Sequence, residues 1–358
     1  MRYLNKNSLY EMMQTKKYFF LLIILYTSQF LFSQDKKFTV AAIGFYNQEN
    51  LFDTIHSPGV NDYEFTPEGV KKWDGTKYWK KIENMSYAIS KMAREYCPEG
   101  PAILGVSEIE NRTVLEDLVR SKNLKSIGYK IVHYDSPEAR GVDVALLYNP
   151  KLFTLTSSKA IPFTLPNDTS FKSRDQLLVN GLLLGEPVHF IVCHWPSRRN
   201  GEKASRHLRQ AAAELSKSII DSLLKKEPSA KIILMGDLND DPFNIPVKET
   251  LRARKDPEDV AKGDLFNPMW RILDKGIGSL GYRGEWNLFD QQILTPAFLG
   301  TDRSTLKYWK AEVFNRDFLI QQEGPYKGYP WRSFSGDTFI EGFSDHFPTL
   351  VYLVKEVR

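Results

Sequence analysis

Eight short runs rich in β-branched and aromatic residues set the strongest limit on what this chain can fold into. They span 38–46, 102–106, 142–148, 177–184, 188–193, 231–235, 291–294 and 349–353. Their lengths and turn-rich flanks favour strands over helices. Only two segments carry a clear helical period. In 78–96, Ile82, Tyr87, Ile89 and Met92 recur, with Lys80, Lys81 and Glu83 between them. In 203–225, Leu208, Ala212, Leu215, Ile219 and Leu223 form a stripe at steps of three and four. A shorter helix is expected over 113–120, capped by Asn111 or Thr113. A doubly wound sheet needs a helix after nearly every strand, so this balance predicts an α/β protein with largely antiparallel sheets. The runs 177–184 and 188–193, joined through Gly185-Glu186, read as a hairpin.

The N-terminus has a different character. Lys16-Lys17 precede the apolar run 18–26, and a small residue, Ser33, precedes a polar stretch. This order predicts a secretory signal peptide over 1–33, cleaved near Ser33, and an exported protein. The apolar run is short for a membrane span of roughly 20 residues, so no stable membrane insertion is expected after cleavage. The whole chain carries 48 Lys+Arg against 44 Asp+Glu. Without Arg2, Lys6, Lys16, Lys17 and Glu11 the balance is 44 against 43, which gives no basic face for coating nucleic acid indiscriminately. Cys97 and Cys193 are the only cysteines, and two unpaired thiols are expected, because Cys193 lies inside a strand run. No linker or repeat divides 34–358, which is expected to be a single catalytic domain and a monomer. The irregular stretches 54–76 and 240–285 are expected to be functional loops.

Polar residues stand where these strands begin or end. In chain order they are Asn47, Glu108, His194, Asp237 and Asn239 (in Gly236-Asp237-Leu238-Asn239-Asp240), Asp290, and Asp345 with His346 (in Ser344-Asp345-His346). Carboxylates and imidazoles at strand ends suit a hard cation or a proton-transfer site better than a core. Taken singly, each has a plainer reading. Gly-Asp-x-Asn is ordinary turn chemistry, Asp290 could cap a strand, and His194 beside Trp195 could be structural. Glu110 and Asp143 could be loop ion-pair partners. Arg140, Arg174, Arg198 and Arg199 could be solvated. Tyr326, Tyr329, Trp331 and Phe334 could stack bases or simply pack.

Their order together resembles the endonuclease/exonuclease/phosphatase superfamily, which includes pancreatic-type deoxyribonuclease, abasic-site endonucleases, inositol-polyphosphate phosphatases and neutral sphingomyelinases. The resemblance covers about 38–353. The phrases NQENLFD, RGVDVALLY and HWPSR are most similar to a secreted bacterial, endonuclease-like branch. It implies a four-layer α/β sandwich, two packed and mainly antiparallel sheets flanked by helices. It implies Asn47, Glu108 and Asp345 around Mg²⁺, with Mn²⁺ as a substitute and Glu108 as principal ligand. It implies His346 as a base or phosphate contact, oriented by Asp290, and Asp237 orienting or deprotonating the attacking water. Asn239 would hold phosphoryl oxygens and His194 would protonate the leaving oxygen. Arg140 and Arg198, flanking this rim, are the candidates for a substrate phosphate. The implied activity is hydrolysis of nucleic acid or another phosphodiester. A small or lipid phosphoester, such as an inositol phosphate or sphingomyelin, and a non-catalytic binding role are the alternatives. No basic helix or wedge loop for gripping duplex DNA is visible.

Overall fold

The computed structural model describes residues 7, 10–18 and 37–357. The expected apolar leader from Phe19 and the cleavage site near Ser33 lie outside the described residues. Two units are distinguished: Val40–Lys355, which is compact, and Met1–Thr39 with Glu356–Arg358, in which residues 10–18 are helical. Among the described residues no helix is long and apolar enough to cross a membrane.

Two large sheets carry the fold. The first contains β1 (Lys37–Leu51), β2 (Ile103–Ile109), β3 (Lys130–His133), β4 (Asp143–Tyr148), β14 (Lys307–Val313) and β17 (Thr349–Val357). Their spatial order is β14-β17-β1-β2-β4-β3. The second contains β5 (Phe153–Ile161), β6 (Gln176–Leu183), β7 (Glu186–His194), β8 (Ile232–Asp237), β9 (Ala253–Arg254), β10 (Leu265–Phe266) and β13 (Asp290–Leu294). They are ordered β5-β6-β7-β8-β13-β10-β9. Two small ribbons complete the strands: β11 (Leu280–Tyr282) with β12 (Glu285–Asn287), and β15 (Phe334–Ser335) with β16 (Thr338–Phe339). Pairing is mainly antiparallel, but β1/β2, β7/β8 and β9/β10 are parallel, so both sheets are mixed. The expected hairpin is present, joining β6 to β7 through Leu184 and Gly185, both at positive φ.

Alternation along the second sheet builds two cores at once. Leu177, Val179, Phe190, Val192, Ile233 and Met235 belong to the same buried cluster as Phe45, Val106 and Leu146 of the first sheet. Their neighbours Leu178, Ile191, Cys193, Ile232 and Leu234 form the opposite face, against Ala212, Ile219 and Ile220 of helix α3 (Glu202–Lys226). Helix α1 (Gly75–Lys91), capped by Asp74, and α2 (Arg112–Arg120), capped by Asn111, bury their apolar stripes in the first cluster. Sheet on sheet with helices outside is the expected four-layer arrangement. Two helical assignments differ in detail. Tyr87, placed on the apolar stripe by spacing, is 39% exposed, whereas Lys81, placed among the polar residues, is fully buried. Lys81 falls four and eight residues before Met85 and Ile89, so the helix turns it inward.

The strand that leads to the site tolerates no side chain at Gly236. A Cβ there would lie 2.1 Å from the Cys193 carbonyl oxygen on the parallel neighbour β7. Gly236→Ala should therefore lower stability by ~1–3 kcal/mol or more, the range for overpacking, measured by thermal unfolding. A wild-type Tm would contradict the β7/β8 register.

Candidate active site

Strand pairing alone brings three of the expected residues side by side. His194, the last residue of β7, pairs with Asp237, the last of β8, and Asp237 pairs with Asp290, the first of β13. Across the sandwich, Asn47 of β1 pairs with Ser107 of β2, and both strands then change register. Glu108 is the extra residue, in the left-handed region at φ 59°, and Glu49 and Asn50 at φ 46° and 53° take up the matching slack in β1. A bulge of this kind re-aims a side chain out of the ladder, and strained backbone concentrates at working sites. Asn239, also left-handed at φ 49°, turns the chain after β8.

The side chains converge on the Asp237 carboxylate. Asn47 Nδ2 donates to Asp237 Oδ2 (3.1 Å) and to Glu108 Oε1 (3.3 Å), tying the two sheets together. His194 Nε2 lies 3.6 Å and His346 Nε2 4.0 Å from the same Asp237 oxygen. The Asn50 amide donates to Glu108 Oε2 (2.8 Å), and the Asn239 amide to Asp237 Oδ1 (2.9 Å). Asn239 Nδ2 donates to the Trp195 carbonyl (3.0 Å). His346 Nδ1 donates to Asp290 Oδ2 (2.6 Å), which also accepts from Ser279 Oγ. Ser344 holds the loop in place: its hydroxyl donates to the Asn47 carbonyl (2.8 Å) and accepts from the His346 amide (3.1 Å). Asp345 is half-buried, 3.9 Å from His346 Nε2, and takes an ion pair from Arg332 (3.2 Å).

The two imidazoles are held in opposite states. Burial, then the nearby Arg174 and Arg140, keeps His194 well below its ordinary value, so it is neutral. Burial acts the same way on His346, but Asp290, by charge and hydrogen bond, then Asp237 and Asp345, outweigh it and hold the ring well above its usual range. His346 is thus an imidazolium with Nε2–H toward Asp237. Burial pushes Asp237 up to about 7, with His346 pulling against it.

Two arginines support the backbone of the site. Arg198 is half-buried. Its Nε donates to the Asn239 carbonyl (2.8 Å), and Nη2 reaches Asp240, Asp241 and Asn244, while the guanidinium lies 4.3 Å over the Phe289 ring. Its Nε and Nη2 hold the turn that carries Asn239. Arg174, which could have been solvated, is buried and donates to the carbonyls of His194 (3.2 Å) and Trp195 (2.8 Å). Arg140 stays at the rim, bonded to Asn50 Oδ1 (3.2 Å). Lys81, Ser279, Ser344 and Arg332 were not anticipated. Lys81 Nζ meets Ser333 Oγ (2.6 Å) and lies 3.6 Å from Glu49, which burial, then Asp345, raises to about 7. Tyr329 packs on Trp286, Trp331 on Phe343, and Phe334 on Trp73, while Arg332 covers Tyr326. Cys97 and Cys193 are free and buried.

The donor set suits a hard divalent ion. Ligand-type atoms of Asp237, Asp290 and His346 lie within 4.8 Å of one another, and of these the two carboxylates can bind a cation while His346 carries its proton. Asp290 Oδ1 is buried without a partner, and Glu108 keeps unused acceptor capacity. Several carboxylates gathered in one half-buried cleft are most simply balanced by a cation.

The match to known proteins agrees with this arrangement. A model of the endonuclease/exonuclease/phosphatase family matches residues 42–355. The chain belongs to that family, whose members are hydrolases of phosphoester bonds that use divalent metals. Among solved structures, a humanized TDP2 of D. rerio aligns with TM-score 0.53 at 13% identity over 88% of this chain and 98% of that one. A family protein of Bacteroides thetaiotaomicron gives 0.53 at 15% identity, covering 90% and 98%. A mannosyl-6-phosphatase of Bacteroides thetaiotaomicron gives 0.52 at 15%, covering 87% and 99%. At such identity these establish the shared fold. No curated protein sequence matches.

Proposed function

We propose that this chain is an exported, Mg²⁺-dependent phosphodiester hydrolase acting as a nuclease, with Mn²⁺ able to replace Mg²⁺. The observation that carries the reading is the junction of His194, Asp237, Asp290 and His346 with Asn47 and Glu108 at one rim. Glu108, Asp345 and Asn47 would hold the ion, which when bound neutralises charge developing on the phosphoryl group. Asp237 orients the water that attacks phosphorus and accepts its proton. Asn239, fixed by its left-handed turn, faces the phosphoryl oxygens. His346, charged and backed by Asp290, is a better proton source for the leaving oxygen than His194, which is neutral and serves as a hydrogen-bond donor. This moves to His346 the proton-donor role that the family pattern implied for His194. Arg140, and Arg198 through Nη1, are the candidates for a substrate phosphate.

Export and a monomeric state rest on the N-terminal pattern and composition. Intact-mass spectrometry of the exported protein should give a start close to Gln34, and a full-length membrane-embedded product would sink the export claim. A second reading, phosphatase action on a small phosphoester, is favoured by one neighbour being a mannosyl-6-phosphatase. In contrast, a TDP2 of D. rerio is described in complex with a single-strand DNA product. A panel of plasmid DNA, RNA, bis-p-nitrophenyl phosphate, inositol phosphates, sphingomyelin and mannose 6-phosphate, run with Mg²⁺, Mn²⁺ or EDTA, separates them. Cleavage of nucleic acid with an ion present supports the nuclease. Hydrolysis of monoesters alone overturns it in favour of the phosphatase.

A further inference from the structure

A second cavity, of about 360 Å³, opens beside the rim and is cationic. It is lined by the loop before β6 (Phe171, Lys172, Ser173, Arg174), the loop after β7 (Pro196, Ser197, Arg199, Asn200) and the first turns of α3. Because β6 runs antiparallel to β7, with Leu177 opposite Val192, the start of β6 lies at the same sheet end as His194. No carboxylate lines the cavity. Lys172 and Arg199 are exposed there, and neither has an ion pair or side-chain hydrogen bond among the described residues. Arg174, 7% exposed, forms the wall between this cavity and the catalytic cleft, since it also binds the His194 and Trp195 carbonyls. The start of α3 adds partial positive charge. Its N-cap is Gly201, which offers no side chain to the first-turn amides, and such ends attract anions. The acid of that turn, Glu202, is held by Arg206 through two 2.7 Å hydrogen bonds.

Lys172 and Arg199 face this acid-free cavity with no ion pair or side-chain hydrogen bond among the described residues, while Arg174 behind them is held by the His194 and Trp195 carbonyls and by Glu138 (3.6 Å). We infer that this cavity is a subsite for a second phosphate of a polyanionic substrate, one linkage away from the phosphate at Asp237 and His346. The inference rests on the phosphodiesterase reading and sharpens it, because substrates with a neighbouring phosphate, such as oligonucleotides, gain a contact that single phosphoesters lack.

The test is Lys172→Gln/Arg199→Gln, compared with wild type and with the charge-keeping Lys172→Arg. Binding of fluorescein-labelled oligothymidylate is followed by anisotropy in EDTA, so that neither metal nor cleavage is required. Hydrolysis of bis-p-nitrophenyl phosphate with Mg²⁺ is measured in parallel. The double variant should bind oligothymidylate about tenfold more weakly, the scale of a lost charge-assisted hydrogen bond. The slope of log K against log salt should become shallower by ~0.7 per lost phosphate contact. Lys172→Arg should bind as wild type does, and the small diester should be hydrolysed equally by all three. Unchanged oligothymidylate affinity and salt slope in the double variant would overturn the subsite. So would no binding by wild type, or a parallel loss on the small diester. Binding lost in the double variant, with wild type cleaving no nucleic acid, would leave the subsite standing and remove the nuclease reading instead.

Discussion

Asp237→Asn and His346→Ala should each reduce the rate on a phosphodiester by at least ~10²-fold, the usual scale for acid–base groups. Asp237 reaches the cleft from β8 and His346 from the loop before β17, yet His346 Nε2 is 4.0 Å from Asp237 Oδ2. Groups that act in one transition state lose their effect together, so the double variant should cost much less than the product of the two single losses. Both side chains are nearly buried, but neither packs in an apolar cluster, so the fold should persist. Steady-state kinetics and thermal unfolding of the three variants check this. A double variant that keeps the wild-type rate on every phosphodiester tried would defeat the assignment, and strictly multiplicative losses would deny that the pair acts as a unit.

Glu108→Gln should produce the other large loss. The substitution keeps the shape of the bulge and lets the side chain accept from the Asn50 amide as before. It removes one charge from the set proposed to hold the ion, so divalent-ion affinity and turnover should fall together. The left-handed φ of 59° at this residue is a property of the backbone, and Gln tolerates it as well as Glu does, so stability is not expected to collapse. Loss of turnover with unchanged ion affinity would place Glu108 in another role.

The parts of this fold that were legible in sequence are those where an apolar run must be buried on both sides. Of the strands with a neighbour on both sides, β1, β2, β4, β6, β7, β8, β13 and β17 coincide with an expected run, and only the two-residue β10 does not. The strands that escaped notice include β3 and β14, which form the edges of the first sheet, and β5, at an edge of the second. An edge strand has solvent beside it and carries charge to discourage further pairing. Lys307, Lys310 and Glu312 in β14, and Ser157, Ser158 and Lys159 in β5, hide the alternation for that reason. His194, Asp237 and Asp290 were legible as polar residues that end or begin strands, and strand pairing then fixes their neighbours; Asn47 and Glu108 lie inside β1 and β2 at the bulge, and His346 in the loop before β17. The burial of Arg174 and the inward contacts of Arg198 were not legible, since sequence position does not say whether a guanidinium turns to solvent or to a neighbouring carbonyl. The supporting contacts of Ser279 and Ser344 depend on loops meeting from distant segments. Lys81 did carry a signal, its place on the stripe with Met85 and Ile89, but its charge obscured it.

The most direct test of a metal-assisted phosphoesterase is the rate on bis-p-nitrophenyl phosphate after complete EDTA treatment, followed by titration with Mg²⁺ and Mn²⁺ in wild type and Glu108→Gln. The account predicts no turnover in EDTA, recovery in wild type with a saturating dependence on the added ion, and recovery in Glu108→Gln only at much higher concentration, if at all. Full activity of the EDTA-treated wild type, or an identical ion dependence in the variant, would contradict it.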